Sequence, residues 1–159
     1  EQGGVERVGR AGRIDLGEIA QGFVNRVVQE HTQKKQFEAA LATLDQFGSS
    51  LKADQTARIA AMVYDRWAGD LKAKSDWQGA VDIYHRALAR WPKNGHLENN
   101  AVATWYQWSK VHMDKRDWPA AIGVYEKALE RHPTQSLLQQ NLRYCREQLE
   151  RSKAGEKTR

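Results

Sequence analysis

The chain has 159 residues, of which 40% are hydrophobic and 28% are charged, and its formal net charge is +5. This composition is typical of one globular domain and excludes a mostly disordered or membrane-embedded chain. No run reaches the ~18 to 20 apolar residues that a membrane span needs, and no secretory signal is visible. We therefore predict a soluble domain without a membrane span.

Compartment and oligomeric state are only weakly indicated. The single Cys145 allows no intrachain disulfide and no metal cluster, and we interpret it as a small core residue. Because the chain begins with Glu1 rather than Met, we expect a processed product or a part of a longer protein. The cytoplasm is slightly favoured, with the bacterial periplasm as the alternative if a signal segment was removed. The oligomeric state stays unknown.

The first segment of the chain, residues 1–14, is rich in glycine and is predicted to be a flexible linker. Asp15 and Glu18 then form a capping box that begins a helix. The apolar stripe of this helix is predicted from residues at helical spacing, namely Ile19, Phe23, Val27 and His31.

Apolar residues recur at intervals of three and four along the rest of the chain, so the fold class is predicted to be all-α. The predicted helices lie near 16–34, 36–48, 54–74, 76–90, 96–115, 117–131 and 135–152. They form one helical repeat domain over 15–152, with units of about 15–52, 53–93 and 94–133, a cap at 134–152, and a basic tail at 153–159.

The chain contains one stretch almost twice. DWQGAVDIYHRALARWP (76–92) and DWPAAIGVYEKALERHP (117–133) share Asp, Trp, Ala, Tyr, Ala, Leu, Arg and Pro at a shift of 41 residues. A fainter copy, QFEAALATLDQFGSSLK (36–52), precedes them by 40 residues. A helix pair of this size cannot bury its apolar face alone, so such copies stack, and roughly three are needed for stability.

Most of the apolar residues fall on the predicted core of these repeats. In the second copy the core stripe is Trp77, Ala80, Val81, Tyr84, Ala87 and Leu88. In the last helix it is Leu138, Leu142, Cys145 and Leu149. We interpret five of the six tryptophans as packing residues, and Trp91 as the partly exposed exception.

These residues resemble the tetratricopeptide repeat over about residues 20–150. The second helix of that family carries Ala, an aromatic residue, Ala and Pro, which here are Ala80, Tyr84, Ala87 and Pro92, and again Ala121, Tyr125, Ala128 and Pro133. Tyr64 and Trp105 stand at the aromatic position of the first helix. The resemblance implies a right-handed α-solenoid of about three helix pairs plus a C-terminal capping helix. The half-a-tetratricopeptide and Sel1-like repeats are the runner-up architectures.

Two features depart from the family pattern. The units are 40 to 41 residues long, against about 34 in the family. In the first copy Phe47 and Lys52 replace the expected Ala and Pro. We place the extra length at the start of the long helices.

The resemblance implies a scaffold or adaptor that binds a peptide or a partner helix along the first helices of the units. The implied groove residues are Asn25, Arg26, Gln29, Met62, Asp65, Arg66, Lys72, Tyr106, Gln107, Lys110 and Met113. Arg26, Arg66 and Lys110 could attract an acidic peptide. The family's clamp for a terminal carboxylate is absent, because Ala103 and Gln107 stand at two of its positions.

Two other functions are alternatives to a peptide-binding scaffold. The pI of about 9.4 makes an RNA-binding helical repeat the first alternative, although the groove positions show no regular code. The second alternative is an oligomerisation or regulatory appendage of an enzyme. The five histidines lack metal-ligand spacing and no phosphate loop is present, so we predict no catalytic residue, no metal and no cofactor.

Overall fold

A computed structural model describes residues 16–157, which form seven α-helices and one short 3₁₀ turn at Gly48–Ser50. The helices are α1 (Leu16–Gln33), α2 (Phe37–Phe47), α3 (Ala53–Ala73), α4 (Trp77–Arg90), α5 (Gly95–Asp114), α6 (Trp118–Arg131) and α7 (Ser136–Lys157). No strand occurs within this range, so the all-α prediction is confirmed. The predicted linker at 1–14 and the cap residue Asp15 lie outside the described residues.

The last helix is longer than predicted. α7 continues through residues 153–157, which were assigned to a basic tail, and Gly155 does not end it. Most of these added residues are good helix formers, and Lys153 pairs with Glu150 at 3.0 Å on the helix surface. The helix therefore extends beyond its buried stripe.

Three turns, each joining a long helix to a short one, share one backbone geometry. Each turn contains a non-glycine residue in the left-handed region: Lys35 at φ 58°, Ser75 at 61° and Arg116 at 56°. The N–H of the next residue donates to a carbonyl five positions earlier, a bond that closes the helix end. These bonds join Gln36 to His31 (2.8 Å), Asp76 to Leu71 (2.9 Å) and Asp117 to His112 (3.0 Å).

The residue after each left-handed residue is the N-cap of the next helix. Asp76 accepts a hydrogen bond from the N–H of Gly79 at 2.9 Å, and Asp117 accepts one from Ala120 at 3.2 Å. Each carboxylate satisfies a helical N–H that would otherwise lack a partner. Gln36 stands at the same position before α2 and makes no such side-chain bond.

The chain divides into two compact units, Glu1–Ile59 and Ala60–Arg159, so that the boundary falls within α3. In the first unit the buried side of α1 consists of Val24 and Val28, which are 1% and 0% exposed. From α2 the buried side chains are Phe37, Ala40, Leu41, Thr43 and Leu44.

The predicted stripe of α1 is wrong in its orientation. Ile19 is 58% exposed and Phe23 is 47% exposed, while Val27 and His31 are half-buried. Helical spacing groups residues on a face but does not say which of two adjacent apolar stripes is covered, and here it is the β-branched pair, Val24 and Val28.

α2 is shorter than its two counterparts, and its last residue has a ring where they carry alanine. Phe47 stands where α4 and α6 carry Ala87 and Ala128, which are both 0% exposed. The ring of Phe47 is 38% exposed and contacts Phe23 edge-to-face, with centroids 6.2 Å apart. The helix ends at Phe47 and the 3₁₀ turn follows.

The second unit buries small and large residues at the predicted repeat positions. Ala80, Ala87, Ala121 and Ala128 are fully buried, and they allow the helices to approach closely. Tyr84 and Tyr125 are 3% and 0% exposed beside them. The stripe predicted for α7 is confirmed, since Leu138, Leu142 and Cys145 are buried and Leu149 is half-buried.

The tryptophans differ in their environments. Trp105 is 3% exposed and stacks on Trp108 with centroids 5.4 Å apart, whereas Trp67, Trp77 and Trp118 are half-buried. Trp91 is also half-buried: its ring meets that of Tyr64 edge-to-face at 6.1 Å, and Arg90 lies over it. None of the described helices combines the length and apolar character needed to cross a membrane.

Candidate peptide-binding face

The predicted groove residues fall in both compact units. Asn25, Arg26 and Gln29 project from α1 in the first unit, and all three are exposed. The remaining eight lie on α3 and α5 in the second unit. We use the name α3/α5 face for five of these, namely Met62, Arg66, Gln107 and Lys110, which are exposed, and Lys72, which is half-buried.

One side-chain hydrogen bond connects the two helices of this face. Lys72 Nζ donates to Gln107 Oε1 at 3.4 Å, across a sequence separation of 35 residues. Both residues were predicted from the resemblance, and their side chains meet at the surface. Arg66 and Met62 lie on α3 as well; Arg66 is exposed and Met62 is 38% exposed.

Lys110 forms an ion pair with Asp114 on the same helix. Lys110 Nζ donates to both carboxylate oxygens of Asp114, at 2.7 and 2.8 Å. This hydrogen bond raises the pKa of Lys110, and the pair keeps Lys110 cationic while holding it along α5. The spacing of Lys110 and Asp114 by four residues was visible in the sequence, but Asp114 was not among the predicted residues.

Asp65 belongs to a polar network within the second unit. Its Oδ1 accepts hydrogen bonds from Tyr84 at 3.0 Å and from Asn100 at 2.8 Å. Its Oδ2 lies 2.6 Å from Nε2 of His96. The carboxylate thus ties α3 to α4 and α5, and its oxygens are occupied by neighbours from this chain.

This network changes the chemistry of Tyr84. Burial, followed by the charge of Asp65 and the hydrogen bond to it, raises the pKa of Tyr84 far above its ordinary value of 10.0. The hydroxyl therefore acts as a donor throughout the physiological range. Asn100 and His96 were not predicted to take part, since their partner is 31 to 35 residues away.

Tyr106 and Met113, two further predicted groove residues, pack against the core. Both are half-buried and contact the buried cluster formed by α4, α5, α6 and α7. The hydroxyl of Tyr125 donates to Met113 Sδ at 3.6 Å, so that this sulfur is turned inward. These two side chains can offer a ligand only part of their surface.

A second polar cluster, also missed from the sequence, joins α4, α5 and the end of α6. His132 is 6% exposed, and its Nδ1 lies 2.8 Å from Oε1 of Glu98. Its Nε2 lies 3.2 Å from Nε2 of His85. Only one of the two facing nitrogens carries a proton, because two N–H groups would repel each other.

Two repeat-related histidines have equivalent neighbours. His31 Nδ1 lies 2.9 Å from Oε1 of Gln36, and His112 Nδ1 lies 3.8 Å from Oδ2 of Asp117. Both are half-buried. Within residues 16–157, no group of three or more His, Cys, Asp or Glu side chains could hold a metal ion.

Comparison with protein-family models gave no match, and comparison with curated proteins gave none either.

Proposed function

We propose that this chain is a protein-interaction module of the tetratricopeptide class, whose helix pairs stack as a right-handed α-solenoid with α7 as its cap. Its ligand is an extended acidic peptide, or an acidic helix of a partner, bound along the α3/α5 face. The proposal is supported by the turn geometry that recurs at Lys35, Ser75 and Arg116, because repeated turns place repeated helices in similar local settings.

The observation that carries the ligand assignment is the contact between Lys72 and Gln107. It joins two long helices at a surface where Arg66 and Lys110 supply positive charge and Met62 supplies an exposed apolar group. Polar groups that fix register beside an apolar contact are typical of peptide-binding surfaces. Asp65 takes no part in this proposal, because its oxygens already bind Tyr84, Asn100 and His96.

The test is a binding titration with fluorescent peptides rich in Asp and Glu, compared with counterparts that carry Asn and Gln. We expect the acidic peptides to bind and Arg66→Glu to weaken them by about tenfold or more, since a tenfold change corresponds to about 1.4 kcal/mol. The matched control is Lys93→Glu, a reversal at an exposed residue between α4 and α5. Equal loss in both variants would show only a dependence on net charge.

Asp114→Asn tests the role of Lys110 in the opposite direction. Removing the carboxylate that holds Lys110 makes its ammonium group available, so acidic peptides should bind more tightly, and less so at high salt. An unchanged affinity would show that Lys110 does not contribute to peptide binding.

The RNA-binding alternative is decided by the same titration. Single-stranded RNA that binds at physiological salt, and loses affinity in Arg66→Glu but not in Lys93→Glu, would favour it over the peptide. Arg26, the only Lys or Arg residue in α1, is tested separately with Arg26→Glu, because it belongs to the other compact unit.

A further inference from the structure

A pocket in the second unit is formed mainly by α4 and α6, with one residue from α5. It has a volume of about 200 Å³, and its walls include Asp82 and His85 from α4, Trp105 from α5, and Lys127, Glu130 and Arg131 from α6. A water molecule takes about 30 Å³ of liquid volume, so the pocket has room for a molecule of several non-hydrogen atoms. Sites for drug-sized ligands are larger, at about 300 to 1,000 Å³.

The charges around this pocket are opposite in sign but unpaired with one another. Asp82 lines the α4 side, and Lys127, Glu130 and Arg131 line the α6 side, where the two cations outnumber the single carboxylate. Among the described residues, no ion pair joins Asp82 to either cation; Asp82 instead accepts a hydrogen bond from Gln78 at 3.0 Å. The pocket therefore lies between groups that would attract a ligand bearing both charges.

The aromatic wall of the pocket has a polar atom without a partner. Trp105 is 3% exposed, and its indole N–H donates to no group in the described part of the chain. A buried donor of this kind costs free energy, and because the nitrogen is itself covered by neighbouring atoms, Trp105 contributes its ring rather than its N–H to the pocket. The ring of Trp105 also lies beside that of His85, with centroids 6.0 Å apart, and together they offer an apolar surface.

His85 is positioned by its contact with His132 and, through it, with Glu98. His132 Nε2 faces it at 3.2 Å, and Glu98 holds His132. When both rings are neutral, Glu98 accepts from His132 Nδ1–H, so His85 donates from Nε2 and its Nδ1 is an acceptor. Burial and the nearby His132 lower the pKa of His85, which therefore adds no third cation to the pocket at neutral pH.

We propose that this pocket binds a free amino acid or another zwitterion of that size. Lys127 and Arg131 hold its carboxylate, while Asp82 and Glu130 hold its ammonium group. Trp105 and His85 cover its carbon atoms. The site is independent of the peptide proposed for the α3/α5 face.

The test is a titration of the intact chain with a panel of free L-amino acids, followed by ¹H–¹⁵N spectra of the indole groups. We expect binding in the millimolar range and a shift of one resonance, assigned to Trp105 by its loss in Trp105→Phe. The N-acetyl derivative lacks the ammonium group and the amide derivative lacks the carboxylate, so both should bind at least about tenfold more weakly.

The variant Lys127→Gln/Arg131→Gln should weaken binding by about tenfold or more, because it removes both cations from the carboxylate. Its matched control is Lys93→Gln/Arg151→Gln, which removes two exposed charges elsewhere. If the pocket variant is poorly folded by circular dichroism, Asp82→Asn tests the ammonium side instead.

Three results would overturn the proposal. They are the absence of binding by any amino acid in the panel, equal binding of the two blocked derivatives, and equal affinity in the pocket and control variants. None of these results bears on peptide binding at the α3/α5 face, which has its own variants.

Discussion

Tyr125 is the largest fully buried side chain in the described part of the chain. Burial raises its pKa to about 12, so the hydroxyl keeps its proton and donates to Met113 Sδ. Tyr125→Ala should lower the free energy of unfolding by about 3 to 5 kcal/mol, as other aromatic-to-alanine core changes do. Urea denaturation measures this loss.

Two matched variants separate ring packing from the hydroxyl group. Tyr125→Phe keeps the ring and should cost about 1 kcal/mol or less, because it removes one weak hydrogen bond. Tyr144→Ala changes a tyrosine that is 46% exposed, and should cost much less than Tyr125→Ala. Equal losses for Tyr125→Ala and Tyr144→Ala would contradict the core assignment.

His85 gives the stability of the protein a dependence on pH. Burial, then His132 and then Arg131, lower its pKa from the ordinary value of 6.5, while Asp82 and Glu98 oppose the shift. The unfolded chain therefore binds a proton more readily than the folded one. This contribution to stability is fully present above about pH 6.5 and is lost as the pH falls toward the lower pKa of the folded state.

Thermal melts between neutral and mildly acidic pH measure this effect. We expect the melting temperature to fall with acidification, and to fall less in His85→Gln, which keeps a polar side chain but cannot be protonated. The same acid dependence in both proteins would assign it to other groups.

At the scale of the element, the start of α2 differs from the starts of α4 and α6. Asp76 and Asp117 cap their helices, whereas Gln36 makes no side-chain capping bond. Gln36→Asp should therefore raise the stability by about 0.5 to 1 kcal/mol. Chemical denaturation measures the gain, and the reverse change, Asp117→Gln, should produce a loss of similar size. A loss from Gln36→Asp would contradict the equivalence of the three turns.

The helices could be predicted from the sequence because the repeated alanines and aromatic residues recur at helical spacing. The turn geometry could not, since Lys35, Ser75 and Arg116 are not the glycines that usually occupy the left-handed region. The sequence shows Phe47 at a position that is alanine in the other two copies, but the effect of that change depends on whether a large ring can be buried there.

The candidate site was predictable only in part for a related reason. The family resemblance implied that Lys72 and Gln107 belong to one groove, and their side chains do meet at the surface. The resemblance does not identify side-chain partners on other helices. Asp65 was predicted as a groove residue, yet its partner Tyr84 lies 19 residues away, and the two facing histidines are 47 residues apart.

At the scale of the whole molecule, the chain is organised as two compact units. The first has exposed Ile19, Phe23 and Phe47, and the second contains most of the fully buried side chains. Since local opening is easiest in the unit that buries fewer apolar groups, the backbone amides of α2, in the first unit, should exchange faster with deuterium than those of α6, in the second. Exchange measured by mass spectrometry tests this order, and equal rates would indicate a single cooperative unit.

Cys145 is 0% exposed, and burial raises the pKa of its thiol. Since the thiolate is the reactive form, this single cysteine should react slowly with maleimide reagents. Cysteines introduced at exposed positions, such as Asn25→Cys and Gln107→Cys, would then take fluorescent labels selectively. Energy transfer between those labels would measure the separation of the two units directly, with and without a bound peptide.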